Sequence, residues 1–249
     1  MASTSETGHA KNVANFNALI TFCIGYGVIY NPSNKALIIN DLKKLYLQAM
    51  ASLHQVIVTK TTFANATNAR KLVFKELKPL STRIFNALAA SGASALTIAH
   101  VKTINRKIQG IRAAGTTTTA TLTADVVLPK STQKTISVSQ QSFDNMIDHF
   151  TKLVESVSQD GNYNPNEIEL KTTTLKAKLE SLQAANKLIM IAFNNWNNDR
   201  IIRNNILYQP TTGLLQIAKD VKKYVKSVYT ASSAEFKFIS GIKFKGVPD

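Results

Sequence analysis

The chain has a single cysteine, Cys23, among its 249 residues. One cysteine cannot form an intrachain disulfide, and it cannot supply a metal site built from several thiolates. Ten glycines and six prolines are also few for a chain of this length. An all-β sandwich needs frequent turns that use these two residues, so their scarcity argues against that fold and favours long helices.

Targeting and membrane-spanning segments are not evident either. The N-terminus has no positively charged segment followed by an apolar run, which a signal peptide would show. The most apolar stretch, residues 13–30, is interrupted by Asn15, Asn17 and Thr21, whereas a bilayer span needs about 20 predominantly apolar residues. A helix buried in a bundle explains this stretch better. We therefore expect a cytoplasmic protein and no membrane partner.

Motifs for catalysis, cofactor binding and metal binding are missing from the sequence. None of the four histidines forms the i, i+4 pair that a zinc-dependent hydrolase helix carries. There is no glycine-rich phosphate loop and no Gly-x-Ser-x-Gly elbow. We expect no catalytic residue, cofactor, metal site or small-molecule substrate, and hence a protein that is not an enzyme.

The sequence does contain an internal repeat, which is the first feature to seek in any chain. Tyr30-Asn31-Pro32 recurs as Tyr163-Asn164-Pro165. Because further matches follow in order at the same spacing, gene duplication is the simple explanation. Three of these matching pairs are Leu42 with Leu175, Phe63 with Trp196, and Arg70 with Arg203.

The duplication predicts four segments of the chain. Residues 1–9 form a flexible tail, residues 10–114 the first repeat, and residues 142–249 the second repeat. The Thr- and Ser-rich residues 115–141 between them show no helical period and are predicted to be a linker. Residues 121–128 of this linker are β-prone, and a short strand or hairpin is the alternative there. The two repeats are expected to pack as one bundle.

Each repeat predicts one very long helix. Asn31 suits the N-cap and Pro32 the first helical position, as Asn164 and Pro165 do in the second repeat. Apolar residues then recur at alternating spacings of four and three, which is typical of helices that pack along their length. Residues 33–78 contain neither glycine nor proline, which favours one unbroken helix.

Two features qualify the prediction of an unbroken helix. Thr59–Thr62 and Asn194–Asn198 are rich in poor helix formers, and a turn at these positions is the alternative. Pro79 and Pro210 are expected to kink the helices near their far ends. Together the patterns predict an all-α fold: an elongated, coiled-coil-like bundle of two tandem repeats related by pseudo-twofold symmetry.

Four polar residues fall on or beside the inward-facing stripe. Arg70 and Arg203 occupy equivalent positions of the two repeats, and Asp199 precedes Arg203 by one helical turn, within reach of an ion pair. One interpretation is a paired site that binds an anion. The other is a polar layer that fixes the packing register, a role that Asn186 also suits.

The charge is strongly basic, with 30 Lys and Arg against 15 Asp and Glu and a formal net charge of +15. Such a protein attracts polyanions, and a stripe of cations would bind nucleic acid with strong salt dependence. No helix-turn-helix, RNA-recognition or zinc-finger signature accompanies the charge. The predicted patch lies in the first repeat and comprises Lys71, Lys75, Lys78, Arg83, Lys102, Arg106, Lys107 and Arg112.

The Tyr-Asn-Pro turns, together with the segments Lys102–Gly110 and Asp220–Val228, resemble an uncharacterised family of duplicated helical proteins found in Bacteroidota, especially flavobacteria. The resemblance covers nearly the whole chain. It implies a bacterial source and a globular product that is not secreted. The family has no known activity or active-site residues, so the resemblance implies no mechanism.

Long helices, duplication and the lack of a recognisable site favour a structural or protein-interaction bundle, with a protein partner or self-association. The first alternative is a basic protein that binds DNA or RNA through the first repeat. The second is a helical pore-forming toxin, for which residues 13–30 are the apolar segment that would enter lipid.

Overall fold

The structure is a computed structural model that describes residues 4–111 and 141–246. Every regular element in these ranges is helical, which confirms the predicted all-α class. The predicted linker lies outside the described residues except for Gln141, and so does Arg112. The α-helices are α1 (Thr4–Gly25), α2 (Ile39–Lys75), α3 (Leu77–Ala90), α4 (Ala95–Gln109), α5 (Phe143–Ser158), α6 (Thr172–Tyr208), α7 (Leu214–Tyr229) and α8 (Ala234–Ser240).

The chain divides into two compact units. The terminal unit comprises Met1–Asn65 and Met190–Asp249, and the central unit comprises Ala66–Ile189. Each unit therefore takes residues from both halves of the sequence, and α2 and α6 each contribute one half to either unit. The compact units cut across the repeats predicted from the sequence.

The core of the terminal unit is built around α1. Phe16 and Leu19 are fully buried there, together with Leu42 from the first half of α2 and Leu207 from the end of α6. Helix α7 packs on both α1 and α8. The apolar residues 13–30, predicted to be a buried helix, thus belong mainly to a core helix, although Phe22 and Ile24 are exposed on its last turn. Among the described residues, no helix is long and apolar enough to cross a membrane.

The core of the central unit is built around α5. Phe150 and Leu153 are fully buried and meet Leu175 and Leu182 from the first half of α6. Helices α3, α4 and α5 pack on one another. The side chain of Ser94 caps α4 by accepting the Thr97 N–H, and Gly110 ends that helix in the left-handed conformation at φ 76°. This conformation is accessible to glycine at little steric cost.

The long helices do not begin where the sequence predicted. Asn31 and Pro32 precede a loop and a short 3-10 turn, and α2 starts only at Ile39. The Tyr30 hydroxyl donates to the Leu37 carbonyl oxygen over 2.7 Å and closes this loop. The segment predicted to be the second repeat has the same hydrogen bond: Tyr163 donates to the Leu170 carbonyl over 2.9 Å, and α6 starts at Thr172. The Tyr-Asn-Pro sequence therefore marks a tyrosine-closed loop and not a helix N-terminus.

The helices also end earlier than predicted. Helix α2 stops at Lys75, and α3 begins after a break at Glu76. Pro79 explains the break, because it has no N–H for the Lys75 carbonyl and its ring would clash with that group. Helix α6 ends at Tyr208, before Pro210, and α7 begins at Leu214. At Pro79 the interruption is a single residue, Glu76, which keeps a right-handed helical conformation, as in the predicted kink, whereas α6 ends completely before Pro210.

The middle of each long helix is unbroken, as predicted. Helix α2 passes through Thr59–Thr62 without a turn. Three of these threonines turn their hydroxyls back to carbonyls one helical turn earlier, as Thr61 does to Ile57 over 2.9 Å. This satisfies the hydroxyls without breaking the backbone ladder.

The predicted flexible tail is partly ordered, since α1 already begins at Thr4. His9 is buried and its Nδ1 hydrogen-bonds to the hydroxyl of Tyr208. Asn12, one turn later, donates to the backbone carbonyl of Lys245 over 2.8 Å. These polar contacts hold the beginning of α1 to α6 and to the end of the chain.

Candidate functional site

Arg70 lies in a polar cluster inside the central unit. Its Nη1 donates to the Asn186 side-chain oxygen over 2.8 Å, and the Asn186 amide donates to Asp144 over 2.7 Å. The guanidinium carbon lies 3.9 Å from the centre of the Phe143 ring. The hydrogen bond and the ring contact engage part of the guanidinium, while its Nε is buried without a hydrogen-bond partner among the described residues. This arrangement favours the interpretation of Arg70 and Asn186 as a polar packing layer.

Arg203 belongs to the terminal unit and is almost completely buried in α6. Its Nε and Nη2 donate to the side-chain oxygen of Asn204 over 3.2 and 2.9 Å. Asp199, predicted to face Arg203, accepts an N–H from Gln55 of α2 over 3.3 Å. The two predicted partner arginines therefore sit in different compact units, each with its own neighbours.

The predicted basic patch lies mostly in the central unit. Helices α3 and α4 run together so that Lys78 at the start of α3 donates to the Gln109 carbonyl at the end of α4 over 3.3 Å, and Gln109 donates back to the Lys78 carbonyl over 2.8 Å. This contact brings Lys78 near the last turn of α4, which carries Arg106 and Lys107. Arg83 is engaged separately, by Glu169 at 2.5 Å.

An open cleft of about 600 Å³ lies beside Arg83 in the central unit. Helix α3 forms one wall, and the loop that follows α5 forms the other. Its polar lining consists of four asparagine side chains, which offer hydrogen bonds, together with the side chains of Arg83, Ser91, Tyr163 and Glu167. Within the described ranges, no group of three or more His, Cys, Asp or Glu could hold a metal ion.

Cys23, His9 and His149 are reactive side chains that the fold buries, and Cys23 and His149 also have shifted pKa values. Burial raises the pKa of the Cys23 thiol to about 12, so the thiolate form is scarce at neutral pH. His149 is buried on α5, and loss of hydration lowers its pKa. Among the described residues, neither Cys23 nor His149 belongs to a pair of nucleophile and general base, and both are core side chains.

Sequence reasoning missed a group of exposed apolar side chains on α2 and α6 in the terminal unit. Ile57 is 62% exposed and Met190 is 64% exposed, although both lie within long helices. The periodic pattern identified the buried stripe and said nothing of apolar residues outside it. We call this set the outer apolar residues: Leu47, Met50, Ile57, Val58, Met190, Ile191, Ile201 and Ile202.

A signal for these residues was nevertheless present in the sequence. Residues 45–59 and 188–198 contain no Asp, Glu, Lys or Arg, although the chain as a whole is rich in lysine. Exposed helix faces normally carry charged residues. The two uncharged stretches lie in exposed helices, and they therefore indicate surfaces that bind a partner.

No known protein family matches the chain, and neither the curated proteins nor the solved structures include a detectable relative. The resemblance to a Bacteroidota family therefore stays a prediction. The proposed function therefore rests on the exposed side chains and the charge of the described residues.

Proposed function

We propose that this protein is a structural, non-enzymatic helical bundle that associates with a second copy of itself through the outer apolar residues. The observation that carries the proposal is that six of the eight outer apolar residues lie in the uncharged stretches of α2 and α6. Fully burying one leucine or isoleucine side chain is worth about 1.5–3 kcal/mol. A few such residues per copy are enough to stabilise an association.

The charge distribution favours a second copy as the occupant. Two copies of a chain with a net charge of +15 repel one another over most of their surfaces. The repulsion is smallest where the contacting segments carry no charge, as residues 45–59 and 188–198 do. An acidic partner would instead be recognised by lysine-rich surfaces.

The proposed duplication adds support. Adding 133 to Ile57 and Val58 gives Met190 and Ile191, so the same two exposed positions are apolar in both predicted repeats. The two long helices are each 37 residues long and obey the same offset, as do the tyrosine-closed loops before them. We propose that two tandem, pseudosymmetric copies of one helical unit underlie this correspondence, and that both long helices use equivalent positions for self-association.

Light scattering coupled to size-exclusion chromatography, repeated over a range of protein concentrations, tests the association. The mass is expected to rise with concentration towards that of a dimer or higher oligomer. The double substitution Ile57→Gln and Met190→Gln removes apolar area from both long helices without adding charge. It is expected to weaken association by about tenfold or more, since two buried side chains are replaced by polar ones.

Leu72→Gln is the matched control, because Leu72 is 69% exposed on the same helix but lies between Lys71 and Lys75. It should leave the concentration dependence unchanged. A protein that remains monomeric at all concentrations contradicts the proposal. So does an oligomer that the double substitution leaves intact.

A second candidate function is binding of a polyanion such as DNA or RNA. The contact between Lys78 and Gln109 supports it, because it gathers cations from α3 and from the last turn of α4. The substitutions Lys78→Ala and Lys107→Ala remove two of them. For a fluorescent nucleic acid titrated at several salt concentrations, the variant should bind more weakly. Its salt slope should be shallower by about 0.9 for each phosphate that the variant no longer neutralises.

Lys44→Ala with Lys223→Ala is the control of equal charge, since each of these lysines is paired with an aspartate three residues away. If both double variants weaken binding equally, the net charge and not the patch is responsible. No retention of nucleic acid at low salt would remove this candidate.

A further inference from the structure

A second exposed apolar group lies where α1 ends in the terminal unit. Val28 is 95% exposed and Ile29 is 55% exposed in the turn after α1, and Phe22 and Ile24 are exposed on the last turn of the helix. Phe238 of α8 is 63% exposed beside them. We call these five residues the apolar tip. The tip is distinct from the outer apolar residues, and the inference below does not depend on self-association.

The apolar tip stands on a well-packed base. The Phe22 and Phe238 rings stack with their centroids 6.0 Å apart, and Tyr26 packs against Tyr229 at 5.2 Å. The Tyr26 hydroxyl donates to the Glu235 carbonyl over 2.8 Å. These contacts tie the turn to α7 and α8, while Val28 and Ile29 project beyond them. The exposed side chains of Val28 and Ile29 therefore contribute little to folding and are free to contact another surface.

Two lysines lie close to Phe238 of the apolar tip along α7 and α8. Lys237 precedes Phe238 in α8, and the Lys226 ammonium lies 5.8 Å from the centre of the Phe236 ring. Residues 22–38 and 226–240 together contain three lysines, the third being Lys35, and one acid, Glu235. Apolar side chains bordered by lysines are the combination that binds the surface of an anionic bilayer, where the rings and aliphatic chains enter the headgroup region and the ammonium groups meet lipid phosphates.

The equivalent turn of the central unit carries no such group. Adding 133 to Val28 and Ile29 gives Gly161 and Asn162, and Asp160 precedes them. The Asp160 carboxylate accepts the Asn162 N–H over 2.9 Å, as in an ordinary solvent-facing turn. A turn of this length can thus be built from polar residues alone. The apolar side chains of the terminal unit are therefore not required by the loop itself.

We propose that the apolar tip of the terminal unit docks the protein onto an anionic lipid surface. The docking is peripheral, with Val28, Ile29 and Phe238 entering the headgroup region and Lys226 and Lys237 beside them. This inference departs from the expectation that no membrane is a partner, which rested on the lack of a spanning segment. Docking of a loop needs no spanning helix.

Sedimentation of the full chain with lipid vesicles tests the proposal. Vesicles of phosphatidylcholine with phosphatidylglycerol should carry the protein down, phosphatidylcholine alone should not, and added salt should reduce the bound fraction. The double substitution Val28→Ser and Ile29→Ser should weaken binding by about tenfold or more, because the apolar anchor is removed. Ile168→Ser is the control, since Ile168 is 73% exposed in the central unit.

Labelling at the tip gives an independent measurement. Val28→Cys introduces an exposed thiol, while the natural Cys23 is buried and its thiolate is disfavoured. An environment-sensitive dye at position 28 should shift to the blue on phosphatidylglycerol vesicles, and the same dye on Ile168→Cys should not.

Three results would overturn the proposal. The first is no binding to phosphatidylglycerol vesicles at low salt. The second is binding that Val28→Ser with Ile29→Ser leaves unchanged, since attraction by net charge alone would then explain it. The third is a loss of self-association in that variant without vesicles, together with unaltered vesicle binding, which would make the tip a protein contact.

Discussion

The terminal and central units are built from the same kinds of parts but present different surfaces. In each, a helix leads into a tyrosine-closed loop and packs with halves of the two long helices. The buried positions are apolar in both, as Phe16 and Phe150 illustrate. On the outside, both units expose apolar side chains and lysines, but exposed apolar side chains are more numerous in the terminal unit, whereas the central unit has an open cleft lined by asparagines.

The difference teaches where the constraints on the sequence lie. A core tolerates few changes of polarity, because burying an unpaired polar group costs free energy. Exposed positions have no such constraint. Packing in a core does not explain groups of exposed apolar residues, such as those that include Val28 and Ile57, whereas binding to a partner surface does.

The largest effect is expected from the two loop tyrosines. Tyr30→Phe and Tyr163→Phe each remove one hydroxyl and leave the carbonyl of Leu37 or Leu170 without its donor. An unsatisfied buried group costs about 1–3 kcal/mol. Hydrogen exchange read by mass spectrometry should show reduced protection in the terminal unit for the first substitution and in the central unit for the second.

Similar losses of protection in both variants would support equivalent roles for the two loops. Tyr46→Phe is the control, because Tyr46 is a half-buried tyrosine within helix α2 and lies outside both loops. If only one substitution destabilises its unit, the likeness between the loops is superficial.

How far the sequence predicts this structure depends on the range of the interactions involved. The heptad-like spacing correctly placed Leu42, Val56 and Leu182 on buried faces, because helical periodicity is a local property. The start of α2 was mispredicted, because the Asn-Pro signal is local while the Tyr30 hydroxyl reaches a carbonyl seven residues away. That hydrogen bond exists only once the loop has folded.

The division into compact units had no counterpart in the sequence pattern. Helix α5, from the second predicted repeat, packs on α3 and α4 from the first, and α1 packs on α7 from the second. Periodicity shows that a helix has an apolar face but not which helix covers it. For the same reason the stripe pattern placed Arg70 and Arg203 on inward faces but did not identify their neighbours, Phe143 for the first and Asn204 for the second.

The smallest predicted effect is a pH dependence of the central unit that His149 causes. His149 is buried, and its Nε2 has no hydrogen-bond partner among the described residues. Desolvation lowers its pKa, and nearby Lys107 and Lys152 lower it further, against the opposing charge of Asp148, whose carboxylate lies 3.7 Å from Nδ1. The folded state thus favours the neutral ring, while the unfolded chain takes up a proton near the ordinary pKa of about 6.5.

Because the unfolded state binds the proton more readily, the stability of the central unit should fall as the pH drops below about 6.5, and it should level off beneath the lowered pKa of the folded state. The measurement is hydrogen-exchange protection of the central unit as a function of pH. His149→Gln removes the titrating ring and should flatten this profile below about pH 6.5. His54→Gln is the control, because His54 is exposed in the terminal unit, and it should leave the profile unchanged. If protection in the central unit keeps the same pH profile without His149, other groups cause the acid sensitivity. If the terminal unit shows the same sensitivity and His149→Gln removes it there too, the two units unfold together, and the contrast between them is one of surface alone.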